Sequence, residues 1–197
     1  NEGDLQFTFG HIHKIALMGI LGAILGIDGH MMGYLKLKDK YVHPEFYTKL
    51  KDIKVSIVPK VSKGYFRRKK HNMVNTAGYA NEAGKKAATL MYTEQWLEDV
   101  SWDIYIDLQS LTVNELREKL IDYILNGKSR FITYLGKTNH PATIKNVEIL
   151  EKKKISNDKI NINSLFLSDK AVKVKNKGFG NSNLNEFIYK EVLPVAY

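Results

Sequence analysis

Tyr65 and Phe66 stand directly before Arg67, Arg68, Lys69, Lys70 and His71, and Asn72 and Asn75 follow. Aromatic faces stack on unpaired bases, cations neutralise phosphates and amide side chains bond base edges. The run therefore holds the residue types that single-stranded RNA binding uses. Arginine adds a planar fork for phosphate, whereas lysine supplies a flexible point charge. A solvated basic loop has the same composition. The stretch also holds the types that metal-independent RNA cleavage needs, namely a base for the 2′-OH, an acid for the leaving oxygen and a cation on the phosphate. Tyr65, Lys69 or Lys70, and His71 would fill those roles. Only one histidine lies in the run, so a phosphate-binding loop without turnover is the simpler reading. An endoribonuclease using His71 is the alternative.

His11 and His13 are two residues apart, close enough to share one side of an extended segment. Neighbouring ligands are lacking: the chain has no cysteine, and only Glu2 and Asp4 lie near. Structural or RNA-adjacent histidines are expected there, and no metal. The absence of cysteine also removes disulfide frameworks, iron–sulfur clusters and thiolate nucleophiles, and fits a reducing interior. No phosphate-binding glycine loop, nucleophile elbow or dinucleotide fingerprint occurs. The expectation is a soluble, cytoplasmic protein without a cofactor.

Charge supports a polyanionic partner. The 197 residues carry a net charge of +9, with 44% apolar and 26% charged residues, enough apolar content for a packed core. The excess is concentrated. Lys60, Lys63, Arg67, Arg68, Lys69, Lys70, Lys85 and Lys86 face only Glu82 between Lys60 and Leu90, and a second lysine-rich stretch runs from Lys152 to Lys177.

The elements that must position these residues are legible in part. Leu5, Phe7 and Phe9 alternate like a short strand. Lys14 to Ile27 reads as a buried helix with Gly19, Gly22 and Gly26 on one face, which predicts close packing against a sheet. His43-Pro44 starts a short helix through Leu50. Asp52 to Val58 and Ser101 to Leu108 are alternating strands. Val61 to Tyr92 shows no sustained period and reads as an excursion from the core, with one helical turn at Thr93 to Glu98 after it. Thr112 and Glu115 form a capping box before a helix striped by Val113, Leu116, Leu120 and Ile124, which Asn126-Gly127 ends. Phe131 to Leu135 and Ala142 to Leu150 read as strands, the latter with a bulge near Lys145-Asn146.

That order is βαββαβ, an α+β fold of ferredoxin-like or RNA-recognition-motif type with two helices on an antiparallel sheet. The expected organisation is a core over residues 1–151, a thumb-like insertion over 62–92 and a small β-rich C-terminal extension over 152–197. The first core strand is either Leu5 to Phe9 or lies upstream of Asn1.

Read in order, Thr8-Phe9-Gly10, KIALMGILGAILG, KVSIVPKVSKGYF, NTAGY, EQWLEDVSWDIYI, YLGKTNHPATI and Glu191-Val192-Leu193-Pro194-Val195 resemble the CRISPR-associated Cas-five family, in its type I-B Cascade form. The resemblance runs from about Phe7 to the C-terminus and is weakest at Gly29 to Tyr41 and Lys152 to Gly180. It implies a RAMP-type ferredoxin-like core and a non-catalytic role in antiviral defence. The subunit would cap the 5′ handle of crRNA at one end of the backbone filament. It would also touch the large subunit, with target DNA near the PAM as a further neighbour and no membrane partner. By the same resemblance the insertion packs over the handle. His11, His13 and Lys14, at the start of the glycine-rich helix, and Gly136 and Lys137, after the fourth strand, complete the RNA-binding surface.

Overall fold

A computed structural model describes residues 5–29, 31, 35, 43–75, 90–156, 162–167, 191, 193 and 194. All of NTAGY after Asn75, the NEAGKK segment with Lys85 and Lys86, and most of the expected C-terminal extension lie outside the described residues. The fold is mixed α+β. In chain order it has β1 (Leu5–Gln6), α1 (Lys14–Leu25), α2 (Glu45–Leu50), β2 (Lys54–Pro59), β3 (Arg68–Asn75), β4 (Leu90–Leu97), β5 (Trp102–Asp107), a 3₁₀ turn (Leu108–Ser110) and α3 (Asn114–Leu125). Two compact units emerge. One is Asn1–His11, Pro59–Trp102 and Val174–Glu191, and the other is Ile12–Val58, Asp103–Lys173 and Val192–Tyr197.

The second unit is built on α1. Its sequence is apolar nearly all round, and Leu17, Met18, Ile20, Leu21, Ile24 and Leu25 are all buried. Ile12, Ile27, Leu50, Ile53, Ile57, Leu111 and Leu120 are buried with them. Each such side chain withdrawn from water contributes about 1.5–3 kcal/mol before entropy is counted. α1 packs against both α2 and α3. The close approach at its glycines comes from a helix, not the expected sheet: a Cβ on Gly22 would lie 2.7 Å from Cβ of Phe46 in α2. Gly19 meets nothing within 4 Å.

The last four carbonyls of α1 have no intrahelical partner of their own, so their bonds must be found elsewhere. Gly26, left-handed at φ 76°, and Ile27 donate their backbone N–H to Gly22. The N–H of Phe131 reaches Ala23, that of Arg130 reaches Ile24, and Lys119 Nζ bonds Leu25 at 2.9 Å. Every one is satisfied. This use of the 130–131 backbone explains why Phe131 to Leu135 is not the strand its composition suggests. From there to Leu150 the chain joins no sheet: it turns at residues 136–140 and makes one isolated bridge, Tyr134↔Pro141. Ala142 to Leu150 is not the expected strand, so the bulge expected near Lys145-Asn146 has no ladder to interrupt; Asn146 has φ +52°.

β2 and β5 pair with each other; Ile53 and Ile57 are buried as expected, whereas in β5 Asp103 and Asp107 are half-buried like Trp102, Ile104 and Ile106, and Tyr105 is exposed. α3 begins one residue later than the capping box predicts. Val113 is its N-cap and makes no side-chain bond, so Thr112 and Glu115 lie out of register for the reciprocal pair. Leu120 is buried on its stripe and Val113 is exposed. Among the described residues, no helix is long and apolar enough to cross a membrane.

Candidate nucleic-acid interface

The first unit turns the aperiodic basic run into a strand. β3 pairs antiparallel with β4 from Arg68↔Leu97 to Asn75↔Leu90, and β1 joins the far side of β4 in parallel, Leu5 opposite Thr93. Thr93 to Glu98, expected to be a helical turn, is the second half of this ladder and its exit. The cause lies in pairing. Neither strand has a clean apolar alternation; β3 pairs along its whole length with β4, and β4 takes further bonds from β1.

Strand geometry divides the basic run into two rows, because successive side chains point to opposite faces. Arg68, Lys70 and Asn72 form one row and are exposed, facing Leu97, Gln95 and Thr93 on β4. Arg67, Lys69 and His71 form the other, facing Glu98, Trp96 and Glu94. The acids set the balance between the two rows. Glu98 binds Arg67 Nε at 2.8 Å through Oε2 and Lys69 Nζ at 3.4 Å through Oε1. Glu94 is buried and accepts the Trp96 indole N–H at 2.8 Å, while His71 stacks on Trp96 with ring centres 4.1 Å apart. The row of Arg68 and Lys70 has no carboxylate directly across the ladder. Arg68 instead reaches Glu191 Oε1 at 2.8 Å, and the other oxygen of Glu191 accepts the Gly10 N–H at 2.7 Å.

At the base of the hairpin, Phe66 and His11 are only 5% and 3% exposed. Phe66 meets His11 and Trp102 edge-on at 5.7 and 5.0 Å, and Trp102 donates its indole N–H to His11 Nδ1 at 3.4 Å. These rings anchor the hairpin, and their faces are already in use. Desolvation holds the His11 pKa below the ordinary histidine range, and Arg68 adds to that, while Glu191 and the Gly64 backbone pull the other way. Tyr65 remains exposed beside them.

The other expected site residues belong to the second unit. His13 is the N-cap of α1, and its Nδ1 accepts the Ala16 N–H at 3.3 Å. Burial lowers its pKa. Lys14 bonds the Lys51 carbonyl at the end of α2 at 2.6 Å. Gly136 sits at φ 83° in an exposed turn, where the His140 N–H bonds the Lys137 carbonyl.

Sequence reasoning did not single out Thr93, Gln95, Trp96 or Glu98, which face the basic run across the ladder. The β-branched and aromatic residues in MYTEQW were the available signal for a strand there. Among the described residues, no group of three or more His, Asp or Glu is arranged to hold a metal ion. No protein-family model and no curated protein sequence matches the chain.

Proposed function

We propose that this chain is a non-catalytic RNA-binding subunit of a type I-B-like CRISPR Cascade complex, with the β3–β4 hairpin gripping the 5′ handle of crRNA. The observation that carries the RNA-binding part is the exposed row Arg68, Lys70 and Asn72 on a paired strand. Two cations and an amide donor stand in line there, with no acid directly opposite. Phosphate contacts need such cations, and a ladder holds them in a fixed spacing that a free loop lacks.

The assignment to a Cas-five-like subunit rests on the ordered sequence resemblance. A ferredoxin-like, RAMP-type reading of the core is supported by the β2–β5 pair together with α1 and α3. In that reading the backbone subunit, the large subunit and target DNA near the PAM are the neighbours, and the complex works in the cytoplasm.

The test combines substitution with salt titration. Backbone contacts to a single strand lower log Kobs by about 0.7 per log unit of salt for each neutralised phosphate. Replacing Arg67, Arg68, Lys69 and Lys70 with alanine should flatten that slope by up to about 2.8 and abolish RNA capture. The fold should remain, because all four cations are on the surface. Repeat RNA incubated with the protein in EDTA should stay intact. An unaltered slope would remove the hairpin from the interface, and cleavage lost in His71→Ala would replace this reading with the nuclease.

A further inference from the structure

Phe7 follows β1 directly and is 79% exposed; among the described residues no phenylalanine, tyrosine or tryptophan is more open to solvent. A lone apolar side chain on a surface is ordinary, so its surroundings decide whether it has a use. The segment that carries Phe7 is pinned to the basic hairpin at both ends. Before it, Leu5 and Gln6 pair in parallel with Thr93 and Glu94, which stand opposite Asn72 and His71. After it, the Gly10 N–H donates to Glu191 Oε2 at 2.7 Å, and Oε1 of the same carboxylate holds Arg68. All of these residues belong to the first unit.

The segment keeps pace with β4: it leaves the ladder opposite Glu94 and arrives at Gly10 near Arg68, the ladder partner of Leu97. A chain that does so alternates as a strand does. Phe7 thereby returns to the face of Leu5, Thr93 and Asn72, which is also the face of Lys70 and Arg68. Across β4, the backbones of β1 and β3 stand about 10 Å apart. An aromatic ring set beside a line of cations is the combination that single-stranded nucleic acid uses, the phosphates on the cations and a base on the ring. A protein partner would instead call for a contiguous apolar patch poor in charge. Phe7 has Gln6 and Thr8 as its chain neighbours and two exposed cations across the sheet.

Resting on the RNA reading above, we infer that Phe7 is the stacking platform for one unpaired base of the strand whose phosphates lie on Arg68 and Lys70. The hairpin then supplies the phosphate grip, and the first strand supplies the surface for the base.

The experiment uses the full chain and a set of short single-stranded RNA oligonucleotides. One is intact and the others each carry one abasic ribose at a successive position. Affinity is read by fluorescence anisotropy, and urea midpoints are measured in parallel. Phe7→Ala should weaken binding of the intact oligonucleotide about tenfold. Its salt slope should not change, because no phosphate contact is lost. Its urea midpoint should stay at that of the unaltered chain, since the ring is exposed. The loss should vanish on the one oligonucleotide that lacks the stacked base, the signature of a direct coupling. Phe7→Leu, apolar but without a π-face, should lose affinity as Phe7→Ala does. Phe7→Trp should keep it, and its added indole emission, read as the difference from the unaltered chain, should be quenched by the intact RNA and not by the RNA lacking that base. An even loss on every oligonucleotide, full affinity in Phe7→Leu or an unquenched indole would each overturn the inference. Phe7→Ala binding as tightly as the unaltered chain would overturn it too and leave the ring to a protein neighbour. If the unaltered chain binds none of the RNAs, the RNA reading itself falls first and takes this with it.

Discussion

Glu98→Gln separates two roles that one carboxylate could have in the hairpin. Glu98 holds Arg67 at 2.8 Å and Lys69 at 3.4 Å, and those side chains are 81% and 56% exposed. At such exposure each pair contributes about 0.5 kcal/mol, so the two together are worth about 1 kcal/mol to the free protein. If RNA phosphates take over both cations, binding must first break these pairs. Removing the charge at position 98 relieves that cost. The variant should therefore bind RNA about fivefold more tightly at moderate salt. Its salt slope should stay the same, because the same phosphates are neutralised in both proteins. The cycle carries an internal check. The free variant should lose stability in urea by about the same 1 kcal/mol that binding gains, because both measure the same broken pairs. Anisotropy titrations at several salt concentrations, set beside urea unfolding of the same preparations, supply both numbers. Weaker binding by Glu98→Gln would show that Glu98 pre-orients the cations instead of competing for them, and the reasoning would be refuted.

Three other outcomes follow from the second unit and the hairpin base. Gly19→Ala should stabilise the protein by about 0.5–1 kcal/mol, since its Cβ meets nothing and alanine is the better helix former. Gly22→Ala should instead cost about 1–3 kcal/mol by driving a methyl into Phe46, and Gly22→Ala with Phe46→Ala should show non-additive recovery in chemical denaturation. His11 and His13 both have folded-state pKa values below the unfolded one, so the folded state binds fewer protons on acidification. Their contribution is complete above about pH 6.5 and is lost as pH falls through the folded values, at up to about 1.4 kcal/mol per pH unit for each proton. Urea midpoints should fall on going from neutral to mildly acidic buffer, and His13→Asn, which keeps a capping side chain but cannot titrate, should shallow that dependence.

Residues with a strong local period were readable in one dimension. The apolar run of α1, the alternation of Ile53, Val55 and Ile57, and that of Trp102, Ile104 and Ile106 each predict their element, because local spacing decides which face is buried. The stop at Asn126-Gly127 is local too, and so is the clustering of cations around Arg68. Tertiary structure decided where no local rule dominates. β3 and β4 are strands because they pair with each other along their length, and that ladder is what divides Arg67 and Lys69 from Arg68 and Lys70. Phe131 to Leu135 has strand composition, yet the N–H of Phe131, like that of Arg130 before it, is taken by the open end of α1. His11 and Phe66, chemically suited to stacking on RNA, are closed into a cluster by Trp102 from far along the chain. Hydrogen-bond partners and neighbours distant in sequence leave no periodic trace, so residue types could name the chemistry on offer but not which side chains remain available for it.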